Sequence, residues 1–342
     1  MRIESIDPRT TPEWDTFVQT HPAATVFHTT AWCRVLIDTY RYKPQYIVSW
    51  NDAGEITGGV PLMLVDSMLT SKRLVGLPFS DVCGPLLPES GGDDLLAAAL
   101  LECERTRASS IELRGHGGEM RGYSNGTAFL QHIIDLGGNL ESRVHSSARR
   151  AIRKAEKTGV TVRVSNTGAD TRRFYELMVH TRRKHGLLPQ PWRFFANIHK
   201  HLIAQGHGYL LLADYKDETI AGDLLLQFRD QLTYKFNASD PRFLYVRPNN
   251  LLLWRAMQLG AEAGQQTLDL GRCEIDNEGL RRFKLLWGAR EQRVGYYHYP
   301  ATFAASSLLS ARPTRAALSL FVKHAPDFAL EAAGGALYHN FG

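Results

Sequence analysis

The sequence has few cysteines and no long hydrophobic run. Its 342 residues contain four widely spaced cysteines, Cys33, Cys83, Cys103 and Cys273. No pair has the Cys-x-x-Cys spacing of a redox or zinc motif, so a disulfide framework is not expected and a reducing cytoplasm is the expected compartment. The longest apolar run, LLAAALL, is far shorter than the roughly 20 residues of a membrane-spanning helix. The stretch MRIESIDPRTTPEW has no apolar signal core, so export is not expected.

Several familiar catalytic motifs are also missing. The sequence contains no Gly-x-Ser-x-Gly, no Walker loop and no dinucleotide fingerprint. Four clustered histidines lack metal partners at a suitable spacing, and no metal site is expected from them: His180, His185, His199 and His201. The net charge of +5 favours an anionic partner only weakly, because such a surplus is common in proteins that bind nothing acidic.

An internal repeat organises the chain, whose length favours two domains. The segments 46–64 and 209–227 both read as strand, polar turn and strand, which is a hairpin pattern. Helical patterns precede each hairpin, and extended sequence, a helix and a strand follow it. Three positions match in one register: Tyr46 with Tyr209, Glu55 with Glu218, and Gly59 with Gly222.

Two related α/β domains are therefore predicted. The first spans 1–140 and the second 158–300, with a basic linker helix at 141–157 between them. The remaining tail, 301–342, is alanine-rich with a helical period, and no chemistry is assigned to it.

This order of elements resembles the GNAT type of N-acyltransferase module, and two modules in tandem are similar to the FemAB-like transferases. Three motifs carry the resemblance, which covers about 1–300: LVGLPFSDVCGPLL (74–87), SSARRAIRKAEKTGVTVRV (146–164) and LDLGR followed by LRRFKLLWGA (268–289). It implies an α/β (α+β) fold of two tandem GNAT-like domains, each a mixed twisted sheet flanked by helices. One departure is Cys83, where many relatives have tyrosine or glycine.

The second motif predicts a strongly basic helix. Ser146 or Ser147 is suited to cap its start and Gly159 to end it. One face carries small or apolar residues and the other five cations: Arg149, Arg150, Arg153, Lys154 and Lys157. The helix is either a solvated linker or a cationic strip that binds phosphates, from a tRNA backbone or a nucleotide-linked acceptor.

The loop before the last long helix of the second domain, SDPRFLYVRPNNLLLW (239–254), contains no glycine. GNAT enzymes that use acetyl-CoA normally bind its pyrophosphate on a glycine-rich loop that opens a helix. Pro248 and Asn249 still begin a helix well, and Arg242 and Arg247 supply positive charge. The loop is thus suited to an anionic group, although its composition counts modestly against a CoA donor.

Lys284 is the main candidate for chemistry. A helical wheel places it on one stripe with Leu280, Phe283 and Trp287. The simpler interpretation is a lysine whose methylenes pack while its ammonium reaches solvent. The alternative is a cation that stabilises the oxyanion formed when an amine attacks an ester or thioester. The resemblance implies this role for the pair Phe283 and Lys284, with the amine deprotonated largely without a dedicated strong base.

Five further residues are candidates to bind substrate: Arg272, Asp269, Asp81, Tyr234 and Asn237. Asp269 either orients the substrate amine or, as an acid before a glycine turn, is structural. Arg272 follows Gly271 at the carboxyl end of a strand, where ligand sites of α/β folds gather. Asp81 would contribute a carboxylate from the first domain, and Tyr234 and Asn237 would line the cleft of the second.

We therefore expect a cytoplasmic N-acyltransferase that forms an amide. The favoured donor is aminoacyl-tRNA, and the alternative is an acyl-CoA or an acyl carrier protein. The acceptor is an amine on a cell-envelope precursor or a small metabolite. No tightly bound cofactor and no integral membrane contact are expected. A non-catalytic binding module with the same fold remains the alternative from another class.

Overall fold

The computed structural model describes residues 2–67, 71–116, 120–300 and 312–340, with side chains from 318 onward in the last range. These residues form two compact units. The first is drawn from the described residues of Met1–Phe129, Arg293–Ser307 and Ala336–Gly342, and the second from those of Leu130–Gln292 and Leu308–Gly335. The domain boundaries expected from the sequence stay a prediction.

The first unit begins with strands and helices in alternation. In chain order its elements are β1 (Arg2–Ile6), α1 (Glu13–Thr20), α2 (Thr30–Tyr40), β2 (Lys43–Trp50), β3 (Ile56–Ser67), β4 (Ser71–Val75), α3 (Gly92–Thr106), β5 (Ile111–Gly115) and β6 (Ser124–Asp135), whose last residues belong to the second unit. Strands β1 to β4 pair successively antiparallel, and β4 pairs parallel with β5. Helix α3 connects the parallel pair, and its Leu95 and Ala99 are buried in the core beside Leu62 and Leu113.

The second unit follows. Its elements are α4 (Leu140–Arg143), α5 (Ser146–Thr158), β7 (Thr161–Ser165), α6 (Gly168–Lys184), α7 (Trp192–His201), β8 (Gly208–Tyr215), β9 (Glu218–Phe228), β10 (Gln231–Ser239), α8 (Pro248–Glu262), β11 (Thr267–Glu274) and α9 (Glu278–Leu285). Then come β12 (Arg290–Tyr299), α10 (Arg312–His324) and α11 (Asp327–Tyr338). The part of β12 from Gly295 to Tyr299 pairs antiparallel with β5 within the first unit.

The sheet of the second unit repeats the pattern of the first. Strands β7 to β10 pair successively antiparallel, and β10 pairs parallel with β11. Helix α8 connects this parallel pair and buries Leu252 and Ala256 in the core. The predicted mixed α/β fold of two GNAT-like halves is confirmed.

The matched glycines of the repeat have the same structural cause. A Cβ on Gly59 of β3 would collide with the ring of Trp14 from α1. A Cβ on Gly222 of β9 would lie 2.8 Å from Leu212 and 3.0 Å from the ring of Phe174, from α6. In both units, therefore, a helix places an aromatic ring directly on the strand, and only glycine leaves room for it.

Within the described residues, no helix is long and apolar enough to cross a bilayer. The four cysteines are free thiols, and all four are buried. Part of the predicted tail, 301–311, lies outside the described residues, and the part that is described forms α10 and α11.

Candidate active site

A cavity of about 310 Å³ opens in the second unit beside the parallel strands β10 and β11. The pairing of these strands runs from Gln231–Thr267 to Thr233–Asp269. Beyond that point, Tyr234 and Asn237 of β10 and Leu270 of β11 form part of the cavity wall. The site therefore lies at the carboxyl end of the parallel pair, where ligand sites gather in such sheets.

An irregularity in β10 lets two predicted residues act together. Residues three apart on a regular strand point to opposite faces of the sheet. The pairing of β10 with β9 shifts register between Tyr234 and Phe236, which makes Lys235 an extra residue. As a result, Tyr234 and Asn237 reach the same carboxylate, that of Asp223, which is the cross-strand partner of Asn237.

Asp223 is a completely buried acid in the middle of β9, where residues 220–226 are otherwise apolar or glycine. Tyr234 Oη donates to its Oδ1 at 2.7 Å, and Asn237 Nδ2 donates to the same atom at 2.8 Å. Within the described part of the chain, its Oδ2 has no hydrogen-bond partner. Burial raises the pKa of Asp223 to about 7, although the two hydrogen bonds favour the ionised form.

Lys284 is buried in the wall of this cavity and does not extend into solvent. Only 5% of its surface is exposed, and its Nζ donates to the carbonyl of Gly271 at 2.8 Å and to that of Arg272 at 3.3 Å. Leu280 and Phe283 line the cavity with it, as the helical wheel predicts. Trp287, which follows the end of α9, is fully buried in the core.

The motif Asp-Leu-Gly at 269–271 provides a backbone carbonyl that accepts a hydrogen bond from Lys284. Asp269 is buried, its Oδ1 accepts from the backbone N–H of Gly271 at 2.8 Å, and its Oδ2 accepts from Gln131 Nε2 at 2.6 Å. Gly271 has a φ of +69°, which favours glycine, and its carbonyl accepts from Lys284. The two distant halves of the motif are thus joined by hydrogen bonds into one unit.

A buried histidine lies close to the lysine. The imidazole of His132 is fully buried, with Nε2 3.1 Å from Oε1 of Glu291. Burial, and secondly the charge of Lys284, lowers the pKa of His132 below its ordinary value. The lining of the cavity also includes a second basic residue, Arg247.

The basic helix forms as predicted, and four of its five basic residues line two different grooves. Helix α5 spans Ser146–Thr158 and ends at Gly159, while its N-cap is His145, whose Nδ1 accepts from the N–H of Ser147. The prediction of a serine cap was wrong, because the helix begins directly after His145 and already includes both Ser146 and Ser147. Ala148, Ile152 and Ala155 are buried in the core of the second unit.

One groove of about 460 Å³ is lined by Arg150 and Lys154, which we call the groove pair. It shares Arg247, Asn250 and Phe283 with the cavity that contains Lys284. A separate, smaller groove of about 130 Å³ is lined by Arg149 and Arg153, called the outer pair, together with two acids, Glu141 and Glu156. Lys157 is exposed. Of these two grooves, the one that shares residues with the cavity has no acid in its lining, whereas the other has two.

The start of α8 closes the cavity on another side. Arg247 is the N-cap in a left-handed conformation with φ +62°, and Pro248 occupies the first turn. Proline has no N–H, and the N–H of Asn250 donates to the carbonyl of Arg247 at 3.2 Å. This helix start consequently offers fewer amides to a pyrophosphate than a glycine-rich loop does. Arg242 instead pairs with Asp240 at 2.7 Å.

The remaining predicted residues lie in different places. Arg272 is half-buried and contributes its carbonyl to Lys284. Asp81 belongs to the first unit and is half-buried there. The substrate roles of Asp269, Arg272 and Asp81 stay predictions.

Asp223 is the residue that sequence reasoning missed. Its signal was present in the repeat, since Asp223 stands where the first copy has Val60. A single acid inside the apolar strand AGDLLL requires partners, and the structure supplies them from β10.

Comparisons with known proteins agree with this architecture. Residues 142–292 match the family model for the acetyltransferase (GNAT) domain. The structure is similar to that of FemX, with a TM-score of 0.66 and 19% identity over 87% of this chain and 97% of FemX. No match was found among curated proteins.

Two further structures have a similar fold. The L-PGS of Bacillus licheniformis has a TM-score of 0.57 and 13% identity over 93% of this chain and 96% of that one. A tandem GNAT protein from the clavulanic acid biosynthesis pathway has a TM-score of 0.52 and 11% identity over 89% of this chain and all of that one. The resemblance to FemAB-like tandem GNAT proteins is confirmed as a likeness of fold.

Proposed function

We propose that the chain is an N-acyltransferase that forms an amide, because residues 142–292 match the acetyltransferase (GNAT) domain and the fold is similar to that of FemX and of a tandem GNAT protein. The favoured donor is the aminoacyl ester of a charged tRNA in the cytoplasm. The acceptor is an amine on a cell-envelope precursor or a small metabolite.

Lys284 is the feature that supports this reaction most directly. Its ammonium is buried at the wall of a cavity, and two backbone carbonyls fix its position. The same cavity shares three residues with the groove that Arg150 and Lys154 line. A donor whose phosphates occupy the groove would extend its reactive ester toward the lysine. A charged tRNA has both parts, a phosphate chain and a terminal ester.

The chemistry follows from these positions. The lone pair of the acceptor amine attacks the ester carbonyl, a carbon–nitrogen bond forms, and the carbonyl oxygen becomes an oxyanion. Lys284 stabilises that charge, and Phe283 packs beside it at the cavity wall. The intermediate collapses when the ester carbon–oxygen bond breaks and the ribose oxygen leaves with the electron pair; the nitrogen loses one proton and the ribose oxygen gains one, which gives a neutral amide and a ribose hydroxyl. One fixed donor of this kind contributes about 2.7–4 kcal/mol in other enzymes.

An acyl-CoA or an acyl carrier protein is the competing donor, and the match to an acetyltransferase domain favours it. Against CoA stands the start of α8, where Pro248 removes one amide and Asn250 uses another. A thioester would react at the same lysine with the same bond changes, with sulfur as the leaving atom.

A donor assay separates these cases. The purified chain is incubated with total charged tRNA and, separately, with a panel of acyl-CoAs and acyl carrier proteins. The acceptors are glycinamide, Nα-acetyl-lysine amide, glucosamine and a lysine-containing muropeptide. We expect loss of the aminoacyl ester, abolished by RNase treatment of the tRNA, with amide product detected by mass spectrometry. Consumption of a thioester alone would replace the tRNA donor, and consumption of neither would favour a binding module.

A further inference from the structure

Among the residues that the structure describes, Asp223 forms no ion pair, and its two hydrogen-bond donors are uncharged. It is fully buried, its cross-strand partner on β8 is Leu211, and Leu225, two residues further along β9 on the same face, is buried as well. Its hydrogen bonds come from two uncharged groups, the phenol of Tyr234 and the amide of Asn237. Burying a carboxylate in this way is costly, and a purely structural position would be served by an apolar residue such as Val60 in the first copy.

Tyr234 connects this acid to the cavity. The tyrosine lines the cavity with Lys284, while its hydroxyl hydrogen points to Asp223 Oδ1. A phenol oxygen that donates its own hydrogen still has lone pairs with which to accept another. Tyr234 Oη is therefore able to accept a hydrogen bond from an amine in the cavity and to pass a proton to the acid behind it.

Asn237 keeps this arrangement in place. Its Nδ2 donates to Asp223 Oδ1, the oxygen that also accepts from Tyr234, and lies 3.4 Å from Asn249 Oδ1 at the start of α8. The extra residue at Lys235 is what brings Asn237 and Tyr234 to one face. Bulges of this kind are over-represented next to active sites, where they redirect a side chain.

We propose that Tyr234 and Asp223 form a proton relay that binds the acceptor amine and takes its proton. The proposal rests on the function argued above and adds to it a dedicated base. As the carbon–nitrogen bond forms, the amine N–H bond breaks and its proton bonds to Tyr234 Oη. At the same time the former hydroxyl proton moves to Asp223 Oδ1. The carboxylate ends neutral, the phenol is unchanged, and the positive charge on nitrogen is removed.

The rate test is a pH profile with three variants, Asp223→Asn, Tyr234→Phe and Asp240→Asn. Nα-acetyl-lysine amide is the acceptor, because its amine titrates at about 10.4, far from the buried acid. In the wild type, kcat/KM calculated for the unprotonated amine, whose fraction is known at each pH, should rise with pH through about 7, the pKa of Asp223. Asp223→Asn and Tyr234→Phe should each lose that rise and lower kcat about 100-fold or more. Asp240 is a buried aspartate on the loop after β10. Asp240→Asn should keep both the rise of kcat/KM with pH and the wild-type kcat.

A second measurement does not require turnover. The carboxyl ¹³C resonance of Asp223, assigned from its absence in Asp223→Asn, is titrated with and without Nα-acetyl-lysine amide. The added ammonium should lower the pKa of Asp223, because a nearby cation favours the ionised carboxylate. Tyr234→Phe should raise the pKa of Asp223 in the free protein and weaken the effect of the amine.

The outcomes distinguish the two proposals. If donors are consumed but the pH profile survives in Asp223→Asn, the relay is wrong and the function stands. If no donor is consumed but the amine shifts the titration of Asp223, the function fails and the amine site stands. An Asp223 resonance that the amine leaves unchanged overturns the relay in either case.

Discussion

Asp223→Asn should make the protein more stable than the wild type at alkaline pH. The native state raises the pKa of Asp223 from 3.8 to about 7, so the folded protein holds this proton more tightly than the unfolded chain. Between these two values the unfolded chain binds fewer protons, and stability falls as pH rises. Above about pH 7 the full penalty is present, because the folded state must then contain a buried charge.

The magnitude follows from the shift. At about 1.36 kcal/mol per pKa unit, the penalty is about 1.5 kcal/mol at pH 5 and about 4 kcal/mol at pH 8. Asp223→Asn has no charge to bury, and its amide oxygen still accepts from Tyr234 and Asn237. The variant should therefore exceed the wild type in free energy of unfolding, by an amount that grows between pH 5 and pH 8. Urea denaturation at both pH values measures it.

Asp240→Asn is the matched control, because it should change the free energy of unfolding at pH 8 in the opposite direction. Asp240 is also buried, but the hydrogen bond from Arg242 lowers its pKa. Its ionised form stabilises the fold at neutral pH, and that contribution is lost as pH falls through the lowered pKa. Asp240→Asn should therefore be less stable than the wild type at pH 8. A difference between Asp223→Asn and the wild type that is the same at pH 5 and pH 8 would refute the buried-charge explanation.

The other predictions concern the reaction. Lys284→Ala should lower kcat about 100-fold or more by removing the oxyanion partner, whereas the exposed Lys216→Ala should not; wild-type kcat in the first variant would end its role. Changing the groove pair, Arg150 and Lys154, to glutamate should weaken tRNA binding and flatten its salt dependence in filter-binding assays. Changing the outer pair, Arg149 and Arg153, to glutamate should weaken tRNA binding less. Equal losses of affinity would show that the whole basic face of the helix binds tRNA. Gly271→Ala forces an alanine to φ +69° and should reduce kcat more than it changes KM, as steady-state kinetics would show.

Much of the fold could be predicted because its local and repeated signals agree. The two hairpins, the helices α3 and α8 that follow them, and the basic helix α5 all form where the hydrophobic period and the order of elements in the repeat indicate. The matched glycines marked equivalent strand positions before their cause, an aromatic ring from a preceding helix, was known.

The candidate site was only partly predictable, since its key contacts join distant segments. Lys284 was identified by its place on an apolar stripe, but the carbonyls that hold it lie 12 and 13 residues away. The bulge at Lys235 has no sequence signature of its own, so Tyr234 and Asn237 could be named without their shared partner. Asp223 was visible only as an acid within an apolar strand.

Val60 and Asp223 stand at equivalent positions of the two copies of the repeat. Because one is apolar and the other is an acid with specific partners, the two positions should differ in the substitutions that they tolerate. The first copy has an apolar side chain there, and its β3–β4 pairing runs without a register shift over Met63–Ser67. A library of single substitutions selected for activity should therefore accept many apolar residues at 60 and almost none at 223. Single-residue deletions should follow the same division, because removing Lys235 would turn Asn237 to the opposite face of the sheet. The two halves of the internal repeat would then differ in the substitutions that they tolerate at these equivalent positions.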